Sequence, residues 1–351
     1  MADEKPRDPS RRKFLKYGVA AAGAVVLGLA SYSLMGNPRG TGASTSSSLT
    51  TTRNVTTRTP TVTRTFGPRY LRIKPTRIDV HDHPYMPANE IIRLMNKAGI
   101  SHMVLMVFGP QDYITGKIFE QYPNRIIPFV GTEVGPNGYD PAWLSYVDEQ
   151  LDSRIFKGVG EVQLRYYANT AKGEPDFNIP ADSQPIKDLA DVVSKHDAVL
   201  LIHMNPDGNA ITSLDDLLTY NEKLKLIWAH LGTVTPSHSG QRGYALKRFE
   251  EMMKKHENLY SDLSCLDPFQ VDFPMLTIAD TQLKLLPEFK VVIEEYNDRI
   301  MFGLDCASAD RWNEKRFIDS TKWYDDAMAQ LSDSKMGENI MWRNAEKLLK
   351  V

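Results

Sequence analysis

The chain has 351 residues, of which 42% are hydrophobic and 25% charged, with a formal net charge of −2. That is enough apolar sequence for one or two soluble domains with a large core, and so balanced a charge offers nothing for nucleic acid or a strongly acidic partner to bind. The two cysteines, Cys265 and Cys306, lie in apolar, strand-like contexts (SDLSCL and FGLDCA); they exclude a disulfide framework and read as buried thiols.

The N-terminal stretch reads as a targeting segment. Ser10-Arg11-Arg12-Lys13-Phe14-Leu15-Lys16 precedes an uncharged, mostly apolar run from Tyr17 to Pro38, a basic region followed by an apolar one. The S-R-R-x-F-L-K form resembles a twin-arginine export signal, an address read by the export machinery. The apolar run is close to the roughly 20 residues that span a bilayer, and no clean small-residue cleavage site ends it, so a membrane tether stays open. Residues 39–69 are rich in Ser and Thr and poor in large apolar side chains. Such a segment buries too little surface to offset its ordering entropy and reads as a flexible linker; Asn54-Val55-Thr56 within it is a glycosylation sequon. The expected organisation is therefore a signal over 1–38, a linker over 39–69 and a folded domain over 70–351, exported to the periplasm, cell surface or medium.

From residue 70 onward, strand and helix patterns alternate. Eight short apolar runs read as strands: Arg77–His83, His102–Phe108, Ile126–Val130, Phe156–Val162, Ala198–His203, Leu224–His230, Leu259–Ser264 and Ile300–Asp305. Most are continuously hydrophobic, as strands buried on both faces are. Helical patterns fall between them at Ala88–Ala98, Pro141–Leu151, Pro185–Lys195, Tyr244–Lys255 and Leu285–Tyr296, with proline at the start of several. Eight strand–helix units in about 280 residues predict an α/β fold, a (β/α)8 barrel. An open doubly wound sheet would carry a glycine-rich phosphate loop after its first strand, and none is present.

In such a barrel, chemistry sits at the C-terminal ends of the strands. His81 and His83 end the first strand, Glu161 the fourth, His203 the fifth, His230 the sixth and Asp305 the eighth. Four of the chain's eight histidines thus fall at one face. Singly, each is an ordinary buried histidine; together with two carboxylates they are a divalent-metal donor set. His102, His196 and His256 fall at the opposite face or on a helix end, and His238 lies in the loop after the sixth strand.

The chain from about 77 to 350 resembles the amidohydrolase superfamily of metal-dependent hydrolases, in its amidohydrolase-2 branch. The likeness rests on D-V-H-D-H in the first strand, G-E in the fourth, the H-M-N and A-H-L-G strand ends, G-L-D in the eighth, and the closing Ile340–Leu349 with its N-A-x-x-L pattern. It implies that His81, His83 and Asp305 hold a first metal and that His203 and His230 hold a second where one exists. It also sets Glu161 where many members carry a bridging carboxylated lysine. Lys157 is rejected as that bridge because it lies roughly 13 Å deeper along the strand. Asp79 reads as a deeper polar group and Asp82 as facing the helices.

The expected activity is hydrolysis of a C–N, C–O or P–O bond of a small molecule, with one or two divalent ions (zinc first, manganese, iron or nickel as alternatives) activating water. Asp305 serves as the proton carrier and His230 as ligand or orienting group. Gln163, Arg165 and His238 are candidates for holding substrate. One rival is a one-metal decarboxylase on the same fold; another is a non-catalytic extracytoplasmic binding protein. Oligomeric state is left open.

Overall fold

The computed structural model describes residues 75–109, 111–132, 141–167, 176–233, 242–270 and 276–351. The expected export signal and linker, His238 and part of the loop after the seventh predicted strand lie outside the described residues. Among the described residues there are nine strands: β1 (Ile78–Asp82), β2 (His102–Leu105), β3 (Ile126–Val130), β4 (Gly158–Tyr166), β5 (Phe177–Asn178), β6 (Val199–Met204), β7 (Lys225–Trp228), β8 (Leu259–Asp262) and β9 (Ile300–Met301). β5 was not expected; it is a two-residue antiparallel addition to the end of β4, with Arg165 opposite Asn178. The other eight are parallel, in the order β1-β2-β3-β4-β6-β7-β8-β9. The Val80 N–H donates to the Phe302 carbonyl at 3.1 Å, and the Asp305 N–H donates to the His81 carbonyl at 2.7 Å. These bonds bring the first and last strands together, so the sheet forms the nearly closed barrel that the sequence pattern predicts.

Helices alternate with the strands: α1 (Ala88–Ala98), α2 (Tyr113–Gln121), α3 (Pro141–Asp152), α4 (Gln184–Lys195), α5 (Gly208–Tyr220), α6 (Arg242–Lys255), α7 (Pro287–Glu295) and α8 (Glu314–Met328). α1 shows the local logic. Ile91, Leu94, Met95 and Ala98 recur on one face and are buried, and the helix stops at Gly99, whose left-handed backbone (φ 67°) lets its N–H reach back to the last turn. α2, α5 and α8 fill gaps where the sequence pattern was weaker; α2, for example, carries Thr115 and Gly116 in its middle.

Two apolar layers hold the barrel. The inner one contains Ile78, Val80, Val104, Met106, Ile127, Phe129, Val199, Leu201 and Ile227. The outer one joins the alternate strand residues, such as Met103, Leu105, Leu200 and Ile202, to the buried helix faces. Ala345, Leu348 and Leu349 of the closing helix (Asn344–Leu349) belong to the inner layer. Asn344 anchors that helix, donating from Nδ2 to the carbonyls of Asn297 and Ile300, both at 2.7 Å. The N-A-x-x-L pattern is thus a polar pin beside a small apolar face.

The alternation of inner and outer residues is interrupted in β1 and in β4, toward the C-terminal face. The β1–β2 register shifts between Asp79 and Asp82, and the β4–β6 register shifts between Val159 and Val162 and again between Gln163 and Arg165. In β1 the inward residues Ile78 and Val80 are followed by His81 and His83 at the centre. In β4, Val159 and Val162 both pack outward. Bulges of this kind re-aim side chains next to functional sites. Lys157, rejected above as a bridge, lines a separate cavity of about 210 Å³ with Ile127, Ile155 and Lys350. One expectation is corrected. Asp82 turns to the chain after β9, not to the helices, and accepts the Cys306 N–H at 2.7 Å. Both cysteines are free and buried, as expected.

Candidate metal centre

His81, His83, Glu161, His203, His230 and Asp305 converge at the C-terminal face. Three overlapping trios, His81–His230–Asp305, His81–His83–Glu161 and Glu161–His203–His230, have potential ligand atoms within 4.8 Å of one another. His81 Nε2 lies 3.7 Å from Glu161 Oε2 and 3.9 Å from Asp305 Oδ1. His83 Nε2 lies 3.9 and 3.5 Å from the same two oxygens. On the other side, Glu161 Oε1 stands 3.0 Å from His203 Nδ1 and 3.5 Å from His230 Nε2. Glu161 therefore presents one oxygen to His81 and His83 and the other to His203 and His230.

The donors fit a cation. His81 Nε2, His83 Nε2 and Asp305 Oδ1 are buried without hydrogen-bond partners, which buried polar atoms rarely tolerate. Their separations of 3.5–3.9 Å approach the roughly 3.3–3.6 Å between neighbouring ligands around an ion bound at about 2.0–2.2 Å. Imidazole nitrogen with carboxylate oxygen suits zinc and related divalent ions.

The charges follow from burial and neighbours. Burial alone would push His81 down, but the Asp262 and Glu161 carboxylates outweigh it and raise its pKa well above the usual value. Burial dominates at His83 and lowers it to about 4, leaving a neutral imidazole. Burial opposes ionisation of Glu161, yet the His81 charge and the bonds from His203 and His230 hold it well below the usual carboxylate range. Asp305 is likewise held low against burial, chiefly by Arg311. The carboxylates thus stand in the deprotonated form that ligation requires.

Several groups around the centre were not singled out from sequence. Asp262, at the end of β8, places Oδ2 3.1 Å from His81 Nδ1, and its pKa falls to about 2 because His81 outweighs its burial. Ser264 Oγ lies 2.7 Å from His230 Nδ1. Buried Arg311 donates to Asp305. Phe108 stacks on His83 at 4.3 Å between centroids, and the Tyr166 ring lies 5.1 Å from His203. Asp262 and Ser264 were findable, since both fall in the last residues of the seventh predicted strand, Leu259–Ser264, at the face that carries the histidines. Arg311 has no such local signal.

The backbone at A-H-L-G is unusual. His230, Leu231, Gly232 and Thr233 have φ of 58°, 48°, 71° and 54°, one left-handed turn in place of a strand end. Such geometry costs about 1–2 kcal/mol per non-glycine residue and persists where surrounding structure over-determines it. Here the Asp262 Oδ1 accepts the His230 N–H at 3.0 Å.

Of the substrate candidates, Gln163 is half-buried on β4, opposite His203 in register; its neighbours Val162 and Leu164 pack outward, so it lies on the mouth side. Arg165 is already matched: Nε lies 2.5 Å from Asp207 Oδ2, Nη1 2.9 Å from Asp176 Oδ1, and the guanidinium covers the Tyr167 ring. That is a rim ion pair, which argues against a role in holding substrate anions. His238 lies outside the described residues. His196 and His256 pair with Asp148 and Asp215, at 2.5 and 2.6 Å, away from the centre.

A family model described as Amidohydrolase matches residues 146–351. No curated protein matches the chain. Among solved structures, a TatD homologue from Escherichia coli K12 is 12% identical, with a TM-score of 0.53 over 78% of this chain and 98% of that one, a likeness of fold. A dihydroxybenzoic acid decarboxylase from Polaromonas sp. JS666, with bound manganese and the inhibitor 2-nitroresorcinol, is 13% identical (TM-score 0.47; 79% of this chain, 97% of that one). An amidohydrolase from Burkholderia multivorans with bound zinc is also 13% identical (TM-score 0.46; 78% and 99%).

Proposed function

Because the chain belongs to the amidohydrolase family, we propose that it is a metal-dependent hydrolase that cleaves a C–N, C–O or P–O bond of a small molecule with activated water. The observation that carries this reading is the placement of Glu161, whose two oxygens face two different histidine pairs. His81, His83 and Asp305 would hold a first ion, His203 and His230 a second, with Glu161 between them. A divalent ion bound there lowers the pKa of water toward about 7 and polarises a carbonyl or phosphoryl oxygen.

The side chains divide the remaining work. Asp305 has Oδ2 engaged by Arg311 at 2.8 Å and would reach the centre through Oδ1; as the carboxylate beside the water, Asp305 would take the water's proton and hand it to the leaving group. His230 orients the substrate oxygen when only one ion is bound. Phe108 and Tyr166, packed on His83 and His203, keep bulk water off those rings. Gln163 is the candidate for a polar contact to substrate. The twin-arginine-like start supports export in the folded state, with the ion already in place.

Elemental analysis of the purified protein, followed by a panel of lactones, amides and phosphoesters, tests the reading. Two zinc or manganese ions per chain and turnover of one of these classes are expected. One ion per chain with carbon dioxide release from a carboxylic acid would replace the hydrolase by a decarboxylase.

A further inference from the structure

The end of β8 contributes no ligand, yet Asp262 and Ser264 touch both sides of the centre. We infer that Asp262 and Ser264 form a tautomer lock: they hold the ring proton of His81 and of His230 on Nδ1, so that both histidines present a bare Nε2. This rests on the metal-centre reading.

The argument is one of donors and acceptors. A carboxylate oxygen only accepts, so Asp262 Oδ2, 3.1 Å from His81 Nδ1, requires N–H at that nitrogen. The Ser264 carbonyl also only accepts, and it lies 3.1 Å from His230 Nδ1. That nitrogen too carries its proton, which Ser264 Oγ at 2.7 Å shares. Asp262 Oδ1 fixes Ser264 in turn, accepting its N–H at 3.0 Å and its hydroxyl at 2.5 Å, besides the His230 N–H at 3.0 Å. Each imidazole is thereby aimed with Nε2 toward Glu161, at 3.7 Å for His81 and 3.5 Å for His230. His81 belongs to the His83 side and His230 to the His203 side, so one carboxylate orients a ligand in each half.

The lock makes an unusual prediction about a conservative substitution. In Asp262→Asn, the three donors around Oδ1 require the amide oxygen there. The amide NH2 must then face His81 Nδ1, which becomes an acceptor, and the proton moves to Nε2, where it blocks ligation. Asp262→Ala leaves the ring free to choose. Asp262→Asn is therefore expected to lower zinc affinity by about 100-fold and Asp262→Ala by about tenfold, the span usual for partners behind a metal ligand. A merely structural Asp262 would give the reverse order, with alanine the more damaging.

The test has two arms on the full chain. Competitive zinc titration of wild type, Asp262→Asn, Asp262→Ala and Ser264→Ala is read with a melting curve for each, so that a misfolded variant is recognised. Histidine-selective 15N NMR of metal-free wild type, at alkaline pH where each ring has lost its second proton, reads the tautomers directly. Protons on Nδ1 of both His81 and His230 are expected, and a proton on Nε2 of either overturns the lock. The NMR arm needs no metal, so failure of wild type to take up zinc would sink the metal-centre reading without touching the tautomer result. An alanine variant weaker than the asparagine variant would sink the lock alone.

Discussion

Arg311 gives a single nitrogen, Nη1, to two oxygens of Asp305: the carbonyl at 2.7 Å and Oδ2 at 2.8 Å. Both residues are buried. The arginine thereby fixes the backbone and side chain of Asp305 together, and leaves Oδ1 as the oxygen facing His81 and His83. Breaking a buried pair from one side leaves a charge without compensation, at a cost of about 3–5 kcal/mol. Arg311→Met should lose that much stability in the metal-free protein by urea denaturation. Asp305→Asn in the same background should recover most of it, whereas additive losses would show that the two residues are not coupled.

Stripping the metal should abolish activity and lower the melting temperature. A ligand at 100 times its Kd stabilises by about 2.7 kcal/mol, which for a domain of this size is roughly 5 °C or more. Chelator treatment followed by zinc or manganese repletion, monitored by calorimetry and turnover, checks this. A melting curve indifferent to both additions would count against a resident ion.

Glu161 separates one-ion from two-ion chemistry. Glu161→Gln keeps the shape and removes the charge that faces both histidine pairs. The variant should bind one ion or none instead of two, and lose activity by about 100-fold or more, since a direct ligand counts for more than its supports. Full metal content in the variant would exclude the bridging role.

Asp112 offers a pH test away from the centre. Burial raises its pKa to about 7 from an ordinary 3.8, against the bond from the Gly131 N–H. A carboxyl raised on folding keeps its proton longer in the native state, so its stabilising contribution is present at low pH and lost as pH rises from about 4 to about 7. The slope is up to about 1.4 kcal/mol per pH unit. Asp112→Asn should remove it: relative to wild type, the variant should gain stability between pH 5 and pH 8. Parallel urea midpoints at the two pH values would refute the assignment.

Replacing Arg11 and Arg12 by Lys should trap the protein in the cytoplasm if the S-R-R-x-F-L-K segment is a twin-arginine address. Fractionation of expressing cells reads this, and undiminished export would remove the route from the proposal.

The barrel and the residues that converge at its C-terminal face were legible because they depend on short-range order. Apolar runs of five to seven residues, separated by helical patterns, several of them started by proline, imply buried parallel strands, and a polar residue ending such a run falls at the active face. His81, His83, Glu161, His203, His230 and Asp305 were all found by that rule. Ser264, which ends the seventh predicted strand, and Asp262 two residues before it fall at the same face and were passed over because the family resemblance implies no ligand there. Arg165 carried a charge that suggested substrate, but its partners Asp176 and Asp207 are distant in sequence, and only folding brings them to it.

The sequence by itself determined which chemical groups line the C-terminal face, since strand order and strand ends follow from local periodicity. The tertiary structure alone decided which atoms of those groups meet. Side chains in a strand alternate by half a turn per residue, and the register shifts in β1 and β4 interrupt that alternation. They bring His81 and His83 to the centre above the inward-packed Ile78 and Val80. The orientation of the imidazoles, set by Asp262 and Ser264 from across the barrel, depends on hydrogen bonds between strands far apart in the chain, which no local pattern encodes.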